Sequence, residues 1–107
     1  MADASRSSGV LSATSIVAAH PCRLKSVHAT CRADAADEYI IKVYDSKDAT
    51  LTGNTELIRM VFNGSTETHN IEYDCHGVLA REGLYLEITA PAVPAPNSHC
   101  AVSVEFN

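Results

Sequence analysis

The chain has 107 residues and a mass of 11.4 kDa, which is one domain's worth of protein. The size scaling of folded proteins gives it about 5,800 Å² of surface, against roughly 16,500 Å² for the open chain. Hydrophobic residues at 46%, charged residues at 20% and a mean hydropathy of −0.02 exclude the disordered regime. A net charge of −5, with eight Lys and Arg scattered singly, argues against a nucleic-acid partner gripped through its phosphates.

The N-terminal stretch MADASRSSG has no charged n-region followed by an apolar h-region, and no apolar run approaches the eighteen or so residues of a membrane helix. The chain is therefore read as starting at Met1, soluble and without a membrane partner. Residues 1–20 are rich in Ala and Ser, with apolar pairs only at Val10-Leu11 and Ile16-Val17. They are expected to form an extended arm, with residues 21–107 as the folded domain.

From Pro21 onward the apolar period is two. Strands are expected over Cys22–Ala33, Glu38–Ser46, Glu56–Asn63, Asn70–Cys75, Gly83–Ala90 and Cys100–Asn107, with turn formers between them. In the first, Leu24 is out of phase with Val27, Ala29 and Cys31, which a bulge near Lys25-Ser26 would reconcile. In the second, Tyr39, Ile41 and Val43 share one face, leaving Ile40 and Tyr44 as apolar surface on the other. Further turns are expected at residues 34–37, 52–54, 63–65 and 76–77. The Pro-rich stretch from Pro91 to Pro96 reads as a stiff loop. No segment supplies a convincing helix, so the fold class is all-β, an antiparallel sandwich or a small barrel.

The four cysteines at 22, 31, 75 and 100 include no C-x-x-C pair, and without a leader they are expected as free thiols. A Cys75–Cys100 or Cys22–Cys31 disulfide is the alternative. Cys75 and Cys100 are expected to face the core.

No G-x-S-x-G elbow and no cysteine in a catalytic setting occurs, so no enzyme is expected. Glu72 and Asp74 fall on the solvent face of a strand. The isolated glycines at 9, 53, 64, 77 and 83 are turn residues rather than a phosphate-binding loop. Zinc would accept Cys75, His76, His99 and Cys100, but adjacent residues on a strand point to opposite faces. No cofactor is expected. What remains is a binding or assembly module, with Val10, Leu11, Ile16, Val17, Ile40 and Tyr44 as its partner-binding residues and the arm adding a strand to a neighbouring sheet edge or lying in a groove on another subunit.

The stretches Pro21–Thr30, Glu38–Lys47 with its K-V-Y-D segment, and Tyr73–Thr89 with its G-L-Y-L-E-I-T segment resemble the small β-sandwich virion proteins of tailed bacteriophages. That family carries a G-R-L-x-G-V strand, a Y-x-K-L-Y-D strand and a G-I-x-F-x-x-G-L-x-V-x-I-T hairpin. The likeness runs from about residue 21 to the C-terminus, with Ser26 where the family often has Gly. It implies a jelly-roll-like or immunoglobulin-like β-sandwich and no catalytic residues. The expected role is a capsid decoration, or cement, protein on the outer surface of a phage head, assembled in the host cytoplasm. Its partners would be the major capsid protein or another virion protein, and copies of itself in a trimer. The alternatives are a tail, baseplate or fibre component, or a small metal-binding cytosolic sandwich using Cys75, His76, His99 and Cys100.

Overall fold

A computed structural model describes residues 5–64 and 67–107. Residues 1–4 of the expected arm and Ser65 of the expected turn at 63–65 lie outside the described residues. The strands are β1 (Arg6–Leu11), β2 (Ser15–Ala18), β3 (Cys22–Arg32), β4 (Glu38–Asp45), β5 (Glu56–Asn63), β6 (His69–Ala80), β7 (Leu84–Thr89) and β8 (His99–Phe106). They form two four-stranded sheets, sheet A in the order β1-β8-β3-β6 and sheet B in the order β2-β7-β4-β5. Every pairing is antiparallel. The accessible surface is 6065 Å², close to the value of about 5,800 Å² expected for a compact domain of this mass.

Alternation decides which residues enter the core. Leu84 and Leu86 on β7, Ile41 and Val43 on β4, and Val102, Val104 and Phe106 on β8 are buried, together with Met60 and Phe62 on β5. These side chains, drawn from both sheets, belong to one apolar cluster. On β3 the registers with β6 and with β8 both shift between Leu24 and Ser26. The extra residue there puts Leu24 on the same buried side as Val27, Ala29 and Cys31, as the sequence phase requires.

Two expectations change. The segment expected as an extended arm lies, over residues 6–18, along both sheets: β1 pairs with β8 and β2 pairs with β7. Thr14, where the chain passes from one sheet to the other, accepts a hydrogen bond from Ile88 N at 3.0 Å. Leu11 and Val17 pack against the core, so burial against this chain's own domain supplies what a neighbouring subunit was expected to supply. The second change is at His76-Gly77, where a turn was expected. The strand runs on to Ala80, and His76 and Gly77, with φ of 53° and 76°, form a bulge, because the left-handed residues that make a turn also make a bulge. Asp74 Oδ1 accepts from His76 N at 3.0 Å and steadies it.

Two carboxylates hold the loops. Asp37 accepts from Ala95 N at 2.7 Å and from the Ser98 hydroxyl, fastening the Pro-rich loop. Asp45 accepts from Glu82 N at 2.8 Å and Arg81 N at 3.0 Å, fastening the β6–β7 turn. That turn needs Gly83, because a Cβ there would collide with the Ala18 carbonyl oxygen.

Candidate functional site

The six residues expected to bind a partner separate into two groups. Val10 is 77% exposed at the edge of sheet A, opposite Ser103, while Leu11 and Val17 are partly buried against the core. Ile16, Ile40 and Tyr44 gather on one surface, the outer face of sheet B. Ile16 stands opposite Tyr85, and Tyr85 stands opposite Tyr44, making one row across β2, β7 and β4. Nearer the other end of β4, Ile40 lies between Thr89 and Val61, and Val61 is 45% exposed.

Charges fill the strip between these apolar groups. Lys42 sits opposite Arg59 on one side and Glu87 on the other. Its Nζ lies 3.9 Å from Glu87 and 4.0 Å from Glu56, and Arg59 donates to Glu56 at 3.0 Å. The hydrogen bond and the charge of Glu56 raise the Arg59 pKa above its ordinary value. The face therefore carries two tyrosines, an arginine and three aliphatic side chains around a nearly neutral charged row. Tyrosine and arginine are the residue types that most often anchor protein interfaces.

The outer face of sheet A is different. Thr30 donates to Asn70 at 2.6 Å, His28 Nδ1 meets Glu72 at 2.9 Å, and Ser103 stands opposite His28. A cavity of about 340 Å³ on this face is lined by Lys25, Ser26 and His28 together with Glu72, Asp74 and Glu105. Water can satisfy these groups where they stand.

Each of the four edge strands carries an irregularity. The register shifts between Ser7 and Val10 on β1, between Ile16 and Ala18 on β2, opposite Val43 and Tyr44 on β5, and around Cys75–Gly77 on β6. Bulges at sheet edges oppose the addition of a further strand. Such edges disfavour the strand addition that was one of the two modes expected of the arm.

The cysteines do not form a metal centre. Cys100 is bonded to Cys31, its direct neighbour across β3 and β8, and so is unavailable as a thiolate ligand. Cys75 lies beside the bulge next to Ser26, whereas Cys100 lies beside Cys31, a separation of about 15–20 Å along the sheet. Among the described residues no group of three or more His, Cys, Asp and Glu is placed to hold a metal ion. Cys22 and Cys75 are free, and Cys75 is half-buried rather than in the core. Burial, reinforced by Asp45 and Asp74 respectively, raises both thiols above their ordinary pKa, so they stay protonated and weakly nucleophilic. The bonded pair was missed because its members are 69 residues apart, and only the strand order brings them together.

Compared with protein-family models, curated proteins and solved structures, the chain matches none of them. The functional reading therefore rests on the geometry and on the sequence resemblance.

Proposed function

We propose that this chain is a non-enzymatic assembly module, a β-sandwich of jelly-roll-like or immunoglobulin-like kind, that docks through the outer face of sheet B. Its most specific form is a decoration protein on the outer surface of a tailed-phage head, bound to the major capsid protein and associating with copies of itself as a trimer. The observation that carries the reading is the row Ile16–Tyr85–Tyr44 with Ile40 and Val61 beyond it. Such a face gains by being covered, and the bulged edges leave a face-to-face contact as the available mode. The Cys31–Cys100 bond suits a particle that leaves the reducing cytosol.

Cosedimentation of the purified chain with heads of the phage that encodes it provides the test. Substituting Tyr44→Glu and Tyr85→Glu together places two carboxylates in the contact, and an affinity loss of about a hundredfold is expected from two interface anchors. Ser103→Glu, on the outer face of sheet A, should bind as the parent does. Binding unchanged by the tyrosine substitutions would sink the docking face. A chain that never sediments with any part of the particle would sink the virion reading. Gold labelling of bound chain separates head from tail, baseplate or fibre.

A further inference from the structure

At one end of sheet A, where β1 and β3 begin and β6 and β8 end, a cleft of about 460 Å³ opens. Its volume falls in the usual range for small-ligand sites. The groups lining it are unusual for this chain. Arg6, Arg23 and His20 reach it, Asn107 lines it beside them, and among the described residues no acidic side chain does, although acids outnumber Lys and Arg by 13 to 8 overall. Among the described residues, neither guanidinium has a carboxylate partner. Leu79, 48% exposed, and Pro21 supply an apolar wall, over the buried Cys22.

Arg23 and His20 are held by contacts of their own. Arg23 Nη1 donates to the Gly77 carbonyl at 3.1 Å, and the open side of Gly77 lies against the Arg23 stem, with its Cβ and Cδ about 4 Å from where a side chain would start. The β6 bulge thus holds Arg23 by one nitrogen and leaves the rest of the fork free. The His20 ring faces the Pro21 carbonyl through Nδ1 at 3.1 Å. A carbonyl only accepts, so Nδ1 carries the proton, and Nε2 can donate to an anion only from the doubly protonated ring. Arg23 is further fixed at its backbone by paired hydrogen bonds with Asn107, of 2.7 and 3.0 Å.

From this juxtaposition of two guanidinium groups that have no carboxylate partner among the described residues, a histidine and an apolar wall, we infer that the cleft is a binding site for an oxyanion carried on a short apolar group. The planar forks of Arg6 and Arg23 suit the paired oxygens of a carboxylate or a phosphate. Leu79 and Pro21 would cover the attached carbons. The site lies in sheet A, and it stands or falls separately from docking through sheet B.

Amide chemical-shift titration of the intact chain with hexanoate, hexyl phosphate and hexanol is the test. Hexanoate or hexyl phosphate should perturb residues 6, 20, 22, 23 and 79, and whichever binds more tightly identifies the headgroup chemistry. Hexanol should perturb them at least about tenfold more weakly, since it lacks the charge-assisted hydrogen bonds. Arg6→Ala with Arg23→Ala should abolish the perturbation, and Arg23→Lys, which keeps the charge but loses the fork, should weaken it. Should the double variant fold poorly, raising the salt concentration on the parent chain must weaken both anions and leave hexanol unchanged. No perturbation by either anion, equal binding of hexanol, or undiminished binding to the double variant would overturn the inference.

Discussion

The two sheets hold themselves together, and face outward, in different ways. Sheet A has a covalent tie between its two central strands, Cys31 to Cys100, and an outer surface in which hydroxyls, amides and the exposed His28–Glu72 pair stand between Val10 at one edge and Leu79 at the other. Sheet B has no such tie. Its strands are held by core packing and by the Asp45 clamp on the β6–β7 turn, and its outer surface carries Ile16, Tyr44, Tyr85, Ile40 and Val61. The difference teaches a division of labour. A sheet whose outer centre is polar gains less from being covered, and the tie adds to the core packing it shares with sheet B. A sheet with aromatic and aliphatic side chains outside gains stability when something covers them.

The largest effect expected is on sheet A. Replacing Cys31 and Cys100 with serine frees a loop of 69 residues, and the chain-entropy treatment puts the loss at about 4 kcal/mol. Urea unfolding should show the midpoint falling accordingly, with the parent behaving likewise under reducing agent. Docking through sheet B should survive wherever the variant is still folded. If reduction leaves the midpoint unmoved, the sheets are not distinguished by the tie.

How much of this contrast the sequence carries depends on the range of the signal. The inward faces of β4, β7 and β8 follow directly from alternation, and the bulge at Lys25 follows from the phase slip between Leu24 and Val27. Tyr85, by contrast, reads only as an outward residue. Its place between Ile16 and Tyr44 needs the order β2-β7-β4, which a period-two pattern does not encode. The same holds for Cys31 and Cys100, whose partnership is a matter of strand neighbours. His76-Gly77 misleads for a different reason: the local chemistry of a turn and of a bulge is the same, and tertiary pairing decides between them.

A smaller effect, on sheet B, comes from the Asp45 clamp. Burial pushes this carboxyl up, but the N–H groups of Glu82, Arg81 and Gly83 outweigh it and hold the pKa below the ordinary carboxylate value. A carboxylate depressed in the folded state stabilises it above the unfolded pKa, near 3.9, and that contribution is lost as the pH falls through the folded value. Asp45→Asn keeps the size but removes the charge and one of the two acceptor oxygens, so a cost of about 1–3 kcal/mol at neutral pH is expected from the weakened and lost bonds. The difference between parent and variant should shrink in thermal melts carried below about pH 3. A difference that stays constant across that range would mean that the lost acceptor oxygen, not the charge, accounts for the clamp on the turn of sheet B.

The smallest effect returns to the outer face of sheet A, and it tests whether that face is as idle as the comparison makes it. His28 Nδ1 and a Glu72 oxygen are 2.9 Å apart, but the two side chains are 52% and 63% exposed. Exposed pairs gain little, because water and salt screen the attraction and both side chains lose rotamer freedom in meeting. A double-mutant cycle of His28→Ala and Glu72→Ala should therefore give a coupling of less than about 0.5 kcal/mol, vanishing at high salt. Particle binding should be unaffected by either substitution. A coupling well above that figure would make the pair a structural element of sheet A. A loss of particle binding would make sheet A, not sheet B, the docking surface, because a weak exposed pair has no route to a distant contact except by being part of it.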